Sequence, residues 1–274
     1  MTRYVLRRVI ESVAVLLVMS FVIYGLMALM PGDPIDIMVQ SDPNLTPADA
    51  VRLKALYGLD KPITERYGNW LGAAAQGDFG YSRIHNRPVL EILGPRLWNT
   101  VILMGLAMIV SLALAVPIGV FSALRPYSWA DYAINFVALG GISVPVFWLA
   151  LMLIVLFSVV LGWLPAGGMG MAGEAGFWEQ ARHLVLPVVT LSVATVGGLT
   201  RFVRASMMEV MRDDYIRTAR AKGLPRRVVV FKHALRNAMI PVVTILALSF
   251  GSLFSGALIT ETMFSYLGMG KLIY

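Results

Sequence analysis

Arg201-Phe-Val-Arg-Ala-Ser-Met-Met-Glu-Val-Met-Arg-Asp-Asp-Tyr-Ile-Arg-Thr-Ala-Arg-Ala-Lys-Gly-Leu-Pro-Arg-Arg-Val-Val-Val-Phe-Lys-His-Ala-Leu-Arg236 carries ten of the chain's 23 lysines and arginines against three acids, Glu209, Asp213 and Asp214. The surplus of +7 equals the formal net charge of all 274 residues. Long apolar runs flank the stretch on both sides. A short loop this basic between membrane spans is expected on the cytoplasmic face. Its centre, Tyr215-Ile216-Arg217-Thr218-Ala219-Arg220-Ala221-Lys222-Gly223-Leu224-Pro225, reads as a helix of about two turns with its own stop signal. Asp213 or Asp214 is placed to cap its start. Cations gather towards its end, as the helix dipole favours. Gly223 is the C′ glycine, and Pro225 opens the next helix at its first position. Tyr215, Ile216 and Leu224 are apolar anchors, and the small Ala219 and Ala221 permit close approach to another surface. Physical chemistry alone leaves two readings equally open, docking against a partner and contact with anionic lipid heads, each cation adding about 1 kcal/mol in the second. RNA binding ranks third, because no aromatic residues are interleaved with the charges.

Working outward, hydrophobic residues make up 58% of the chain and mean hydropathy is +0.72, above the roughly 45–50% apolar content of soluble domains. The fold class is therefore all-α, a polytopic membrane protein. A pI near 9.8 would raise nucleic acid as a partner for a soluble chain; here one loop holds the surplus, so topology accounts for it. The absence of cysteine excludes disulfides, thiolate metal sites and a cysteine nucleophile. The three histidines, His85, His183 and His233, lie on separate segments with no two at metal-ligand spacing, and no metal site is expected.

Five segments are long enough to cross about 30 Å of hydrocarbon: about Val9–Met30, Asn99–Leu124, Tyr132–Gly162, Leu184–Leu199 and Ala238–Thr260. The first begins after Arg3, Arg7 and Arg8 and is too long for a signal peptide core, so it is read as a retained span with a cytoplasmic N-terminus. The third contains Gly140, Gly141 and Pro145 and is expected as one long, tilted or proline-kinked helix. Splitting it would leave Tyr132–Val144 too short to cross and would move the basic loop outside. The domain organisation follows: residues 1–30 as an N-terminal span, 31–98 as an external helical subdomain, and 99–274 as the membrane core with the cytoplasmic loop 201–236. The external segment has seven basic and eight acidic residues and the composition of a soluble subdomain. Within it, helices are expected from Thr46 to Tyr57, stopped by Gly58, and from Thr64 to Ala75. Five spans from an inside start leave Tyr274 outside, and a sixth span is expected beyond it.

Few residues invite chemistry. Glu11 is the one ionisable group clearly within a span, and Arg7 or Arg8 can pair with it one turn away. Arg201 and Arg204 end the fourth span and are expected to snorkel. A proton-coupled secondary transporter would need a carboxylate or histidine near the midplane, and none is evident in the sequence. Gly119 and Ala123 form a small-xxx-small pair that marks helix packing. The phosphate-binding pattern G-x-x-x-x-G-K-[ST] is absent: Leu272 follows Gly270-Lys271, and Ser265 occupies the place of the first glycine. Energy must come from another chain.

Tyr215–Pro225 and His233-Ala-Leu-Arg-Asn-Ala-Met-Ile-Pro241 resemble the loop of binding-protein-dependent ABC importer permeases. More narrowly they resemble the peptide/nickel branch, of the dipeptide permease B-like type. Further matching stretches are Tyr4-Val-Leu-Arg-Arg8, Pro31-Gly-Asp-Pro34, Gly77-Asp-Phe-Gly-Tyr-Ser82 and Glu261-Thr-Met-Phe264 followed by Gly268 and Gly270. The general importer loop has Glu-Ala-Ala where this chain has Arg217-Thr218-Ala219, with Gly223 retained, and Leu-Pro where it has Leu235-Arg236; both departures resemble the peptide branch. The resemblance implies a transport subunit without a catalytic residue, a metal or a cofactor of its own. Residues 215–225 would form the ATPase-coupling helix. ATP and Mg would be bound by two partner ATPase subunits or domains. A second homologous permease would share the pathway in the cytoplasmic (inner) membrane, and an extracytoplasmic solute-binding protein would deliver short peptides or a small solute such as nickel or glutathione. The resemblance names no substrate-binding residue in this chain. A secondary transporter and a non-transporting membrane scaffold are the competing classes.

Overall fold

The computed structural model describes residues 2–29, 46, 51–52, 54–55, 58–82, 84–169, 176–252 and 257–273. Helix α1, Thr2–Ala28, is apolar nearly all round, and none of its residues is buried by the rest of the chain. At 1.5 Å per residue it is about 40 Å long. A helix with no polar face has to be covered by something other than water, and its length and hydropathy suit a membrane span. Two of the three arginines near its start pair with Glu11, Arg7 Nε at 2.8 Å and Arg8 at 3.2 Å, as the sequence anticipates.

Contacts divide the chain into two units, Met1–Leu90 and Glu91–Tyr274. In the first, α2 (Ile63–Ala75) lies on α1 through an aromatic cluster. Tyr67 meets Phe21 edge-on at 5.1 Å and Tyr24 at 5.7 Å, while Trp70 sits 6.0 Å from both Tyr24 and Tyr67. Ser20 and the Tyr67 hydroxyl share a 2.8 Å hydrogen bond. Trp70 is thus part of a small core, whereas Phe79 and Tyr81 are exposed. A two-residue antiparallel pair, β1 (Tyr81–Ser82) with β2 (Arg87–Pro88), closes this unit. The helix expected over 46–57 falls mostly outside the described residues.

The second unit is built on α3 (Val89–Leu124), α4 (Trp129–Ser143), α5 (Val146–Leu153, continued as π-helix over Ile154–Val160) and α6 (Phe177–Val210). After α6 come α7 (Asp214–Ala221), a turn at Arg226–Val228, a π-helical stretch Val229–Ala234, α8 (Leu235–Ser252), α9 (Leu258–Met263) and α10 (Met269–Ile273). Helices α3 and α6 begin well before the apolar runs at Asn99 and Leu184, since helix geometry continues past the point where hydropathy falls.

The third expected span is not one kinked helix. Helices α4 and α5 meet at 97°. Val144 is extended (φ −74°, ψ 124°), and so is Pro145 (φ −61°, ψ 132°). Proline pushes the residue before it out of the helical region and donates no backbone hydrogen bond. Two consecutive extended residues interrupt the helix completely, where an ordinary proline kink keeps helical dihedrals on both sides. Each arm has about 15 residues, or about 22 Å, too short to cross alone. Four helices among the described residues are long and apolar enough to cross, and the bent pair makes a fifth span if it is counted as one.

Helix α6 is the hub. Glycines let its neighbours approach to backbone contact: a side chain at Gly197 would strike the Ala138 carbonyl of α4, and one at Gly119 of α3 would come within 2.8 Å of Val203. The packing role expected of Gly119 and Ala123 is therefore seen. The largest buried cluster draws Val120 and Ala123 from α3, Val203 and Met207 from α6, and Val229, Val230 and Ala234 from the π-helical stretch. It lies at the basic-loop end of the unit.

Candidate functional site

Helix α7 occupies the centre of the basic loop. It has eight residues, about two turns, and starts one residue before the expected Tyr215. Neither Asp213 nor Asp214 caps it through a side chain. Asp214 instead lies in the first turn, where it suits the dipole and accepts a 3.1 Å bond from the exposed Arg217. The Thr218 hydroxyl donates back to the Asp214 carbonyl at 2.9 Å.

The stop is built as expected. Gly223 has φ +74°. Its N–H donates to the Arg220 carbonyl (3.0 Å), and the Leu224 N–H donates to the Ala219 carbonyl (3.3 Å). This pair of bonds is the Schellman closure, which satisfies the last carbonyls of a helix. Pro225 stands at the N-cap of the following turn rather than at its first helical position, and its carbonyl accepts from Val228 and Val229.

The two faces of α7 differ sharply. Ile216 is 0% exposed and Ala219 is 6% exposed, and both belong to the core shared with Met207, Val229 and Val230. This corrects the expectation that these residues face outward: i and i+3 share a side of a helix, and that side is turned into the chain's own core. Tyr215, Arg217, Thr218, Arg220, Ala221, Lys222, Leu224 and Pro225 are exposed. The Tyr215 hydroxyl accepts from Asn237 Nδ2 at 2.8 Å, fastening the helix start to α8. Arg220, Leu224 and Arg226 line a 440 Å³ cleft floored by Val229 and Val230. The site is a positively charged ledge, anchored in the core from below, with one small residue, Ala221, and two apolar ones, Tyr215 and Leu224, on its open side. Truncating Ile216 to alanine should cost about 2–5 kcal/mol, read as a lower unfolding temperature of the detergent-solubilised protein. An unchanged temperature would mean that α7 is not seated on the core.

Residues 115–274 match the family described as the binding-protein-dependent transport system inner membrane component. Residues 1–104 match the N-terminal region of the membrane component of the same kind of system. The chain belongs to this permease family. Among its relatives, the oligopeptide transport system permease protein AppB of Bacillus subtilis (strain 168) is 42% identical over 99% of this chain and 86% of its own length. The dipeptide transport system permease protein DppB of Alkalihalophilus pseudofirmus is 38% identical over 100% and 87%. The glutathione transport system permease protein GsiC of Escherichia coli (strain K12) is 37% identical over 100% and 86%. The chain is thus the membrane permease subunit of an ABC importer. It is a transport subunit and not an enzyme, it belongs to a family without a cofactor of its own, and its ATPase is a separate subunit.

Two features of the permease escape a sequence reading. Arg204 does not snorkel. Its guanidinium donates to both carboxylate oxygens of Asp131 at 2.6 Å. Asp131 is 1% exposed and Arg204's side chain 20%. The same carboxylate accepts from the Ser122 hydroxyl, from Tyr127 N–H (2.8 Å) and from Asn135 Nδ2 (2.9 Å). The α3–α4 turn is thereby tied to the last turns of α6, which carry the first residues of the basic stretch. The second feature is Glu261, buried completely near the other end of the unit. Glu11 is therefore not the chain's only carboxylate of interest. Among the described residues no cluster of three or more metal-ligating acids or histidines occurs.

Proposed function

We propose that the permease moves short peptides, or a related small solute such as nickel or glutathione, inward by alternating access, and that residues 215–225 are its ATPase-coupling helix. The observation that carries this reading is the two-faced mounting of α7, with Ile216 and Ala219 locked into the core and Arg217, Thr218, Ala221 and Lys222 exposed on the outer side. A helix held this way transmits a push on its outer face to α3, α6 and α8 without deforming. The peptide and glutathione permeases among the relatives support the cargo class. In the proposed assembly a second homologous permease shares the pathway, two ATPase subunits or domains bind ATP and Mg against α7, and a solute-binding protein docks outside. The N-terminus and the 201–236 loop lie in the cytoplasm, as their charge favours. Residues 1–30 form the first span, 31–98 an external subdomain, and 99–274 the transport core.

The test is co-purification of the tagged permease from its own cell in mild detergent, followed by uptake in liposomes. Recovery of an ATPase and a second permease, with uptake of labelled di- and tripeptides only when ATP and the binding protein are present, is the expected result. Uptake without ATP would establish a secondary transporter instead. A chain that purifies alone and moves nothing would be a membrane scaffold.

A further inference from the structure

Residues 257–273 fold into a compact cap of two short helices, α9 and α10, joined by a turn through Ser265 at φ +49°. At its centre is Glu261, 0% exposed. Its Oε1 accepts from the Thr100 hydroxyl at 2.8 Å and from Ala257 N–H at 3.2 Å, and its Oε2 accepts from Lys271 N–H at 3.0 Å. Among the described residues no cation pairs with it. The glycines that follow are shaped to this carboxylate. A Cβ at Gly268 would collide with the carboxyl group itself, and one at Gly270 would come within 2.7 Å of the Leu258 backbone and 3.0 Å of Oε2.

The carboxylate also joins the cap to α3. Met269 N–H donates to Thr100 Oγ1 at 2.8 Å, so the backbone of α10, the Thr100 hydroxyl and Glu261 form one hydrogen-bonded chain. Beside it, Asn99 Nδ2 donates to the Leu267 carbonyl (2.8 Å), and the Tyr266 hydroxyl donates to the Asn99 carbonyl (3.0 Å). On the other flank Gly168 N–H donates to the Phe264 carbonyl at 2.7 Å, and Phe264 packs with Ala150 and Leu186. The cap therefore reaches α3 through Glu261, Met269, Leu267 and Tyr266, and reaches α5, α6 and Gly168 through Phe264. A buried carboxylate is costly unless every lone pair is used. A merely structural plug could be aliphatic and would need none of these donors.

We propose that Glu261 is a positioning residue for transport: it holds residues 257–273 as a rigid cap that moves as one body with α3 through the transport cycle, rather than as a lid that lifts. This rests on the importer reading above, which places the cap at the external end of the pathway. Opening at that end then comes from movement of the whole core against the partner permease. Rigid-body rotation about an interface is one of the established forms of such transitions.

Glu261→Gln is the decisive variant. It keeps the volume, but whichever way the amide is turned one backbone N–H, of Ala257 or of Lys271, faces an NH₂ group. The chain has no cysteine, so Trp98→Cys and Ile273→Cys, both at exposed positions, can carry nitroxide labels in the full assembly. The expected result without the Gln substitution is a narrow interspin distance that is the same at rest and with ATP trapped. In Glu261→Gln the distribution should broaden, and uptake should fall about tenfold while the assembly still purifies intact. Thr100→Val, which removes the hydroxyl bridge alone, should broaden it in the same direction and provides the test if Glu261→Gln fails to fold. A distance that shifts on ATP trapping in the parent protein would overturn the proposal, because the cap would then be a lid. So would a narrow distribution with undiminished uptake in Glu261→Gln, or in Thr100→Val. Uptake independent of ATP in the parent protein would remove the importer reading, while the distance comparison would still decide whether Glu261 holds the cap.

Discussion

Asp131→Asn should destabilise the permease core by about 3–5 kcal/mol, the range for breaking a buried ion pair by removing one partner. The carboxylate is nearly inaccessible and receives five hydrogen bonds, from Ser122, Tyr127, Asn135 and twice from Arg204. Asparagine keeps the shape but removes the charge, and it sets an NH₂ group against the donors on one side. The Arg204 guanidinium, only 20% exposed, is left without its acid in a place where water can solvate it only in part. The measurement is thermal unfolding in detergent of Asp131→Asn, Arg204→Met and the double variant. The pair should show non-additivity, the double variant being more stable than the sum of the single losses requires. Losses that simply add, or an Asp131→Asn melting curve that overlays the parent, would show that the two residues do not depend on each other. Because the pair secures the α3–α4 turn to α6, the same variant should also lose uptake out of proportion to the protein that remains folded.

Gly223→Val should reduce uptake at least about tenfold while ATP hydrolysis by the assembly continues. A Cβ at this position meets nothing within 4 Å, so the effect is one of backbone conformation alone. At φ +74° an L-residue loses about 1–2 kcal/mol, and a β-branched one more. The local remedy is to abandon the left-handed conformation. Both closing bonds, Gly223 to Arg220 and Leu224 to Ala219, are then lost, and the chain leaves α7 in a new direction. Ile216 and Ala219 stay anchored, so the protein still folds, but Lys222, Leu224 and Pro225 no longer present the same outer surface. Uptake and ATPase rates measured on one preparation separate the outcomes. Unchanged uptake would count heavily against a coupling role for residues 215–225, whereas joint loss of both rates with loss of the ATPase subunit would place the defect in docking.

Much of this helix is legible without a fold. Its length, the acid in its first turn and its glycine stop are local matters, settled by residues three to five apart along the chain. Its direction is not. The pattern Tyr215-Ile216…Ala219 is compatible with apolar residues facing either a partner or the chain's own core, and only the cluster of Met207, Val229, Val230 and Ala234 decides for the core. Pro145 signals a break just as plainly, yet the 97° angle depends on what each arm packs against. Gly141 and Ala138 of α4 lie on α6, while Ala150 of α5 joins Leu186 and Phe264.

By itself the sequence determined that this is a helical membrane chain, where its apolar runs lie, and which short helix carries the basic ledge. Those properties follow from hydropathy, charge and backbone preference, which act over a few turns. Tertiary structure alone decided the roles of Asp131 and Glu261. Their partners, Arg204 and Thr100, lie 73 and 161 residues away in the chain. A carboxylate in a sequence is only a charge; it becomes a latch when folding removes water from around it and adds a distant donor to those its near neighbours supply.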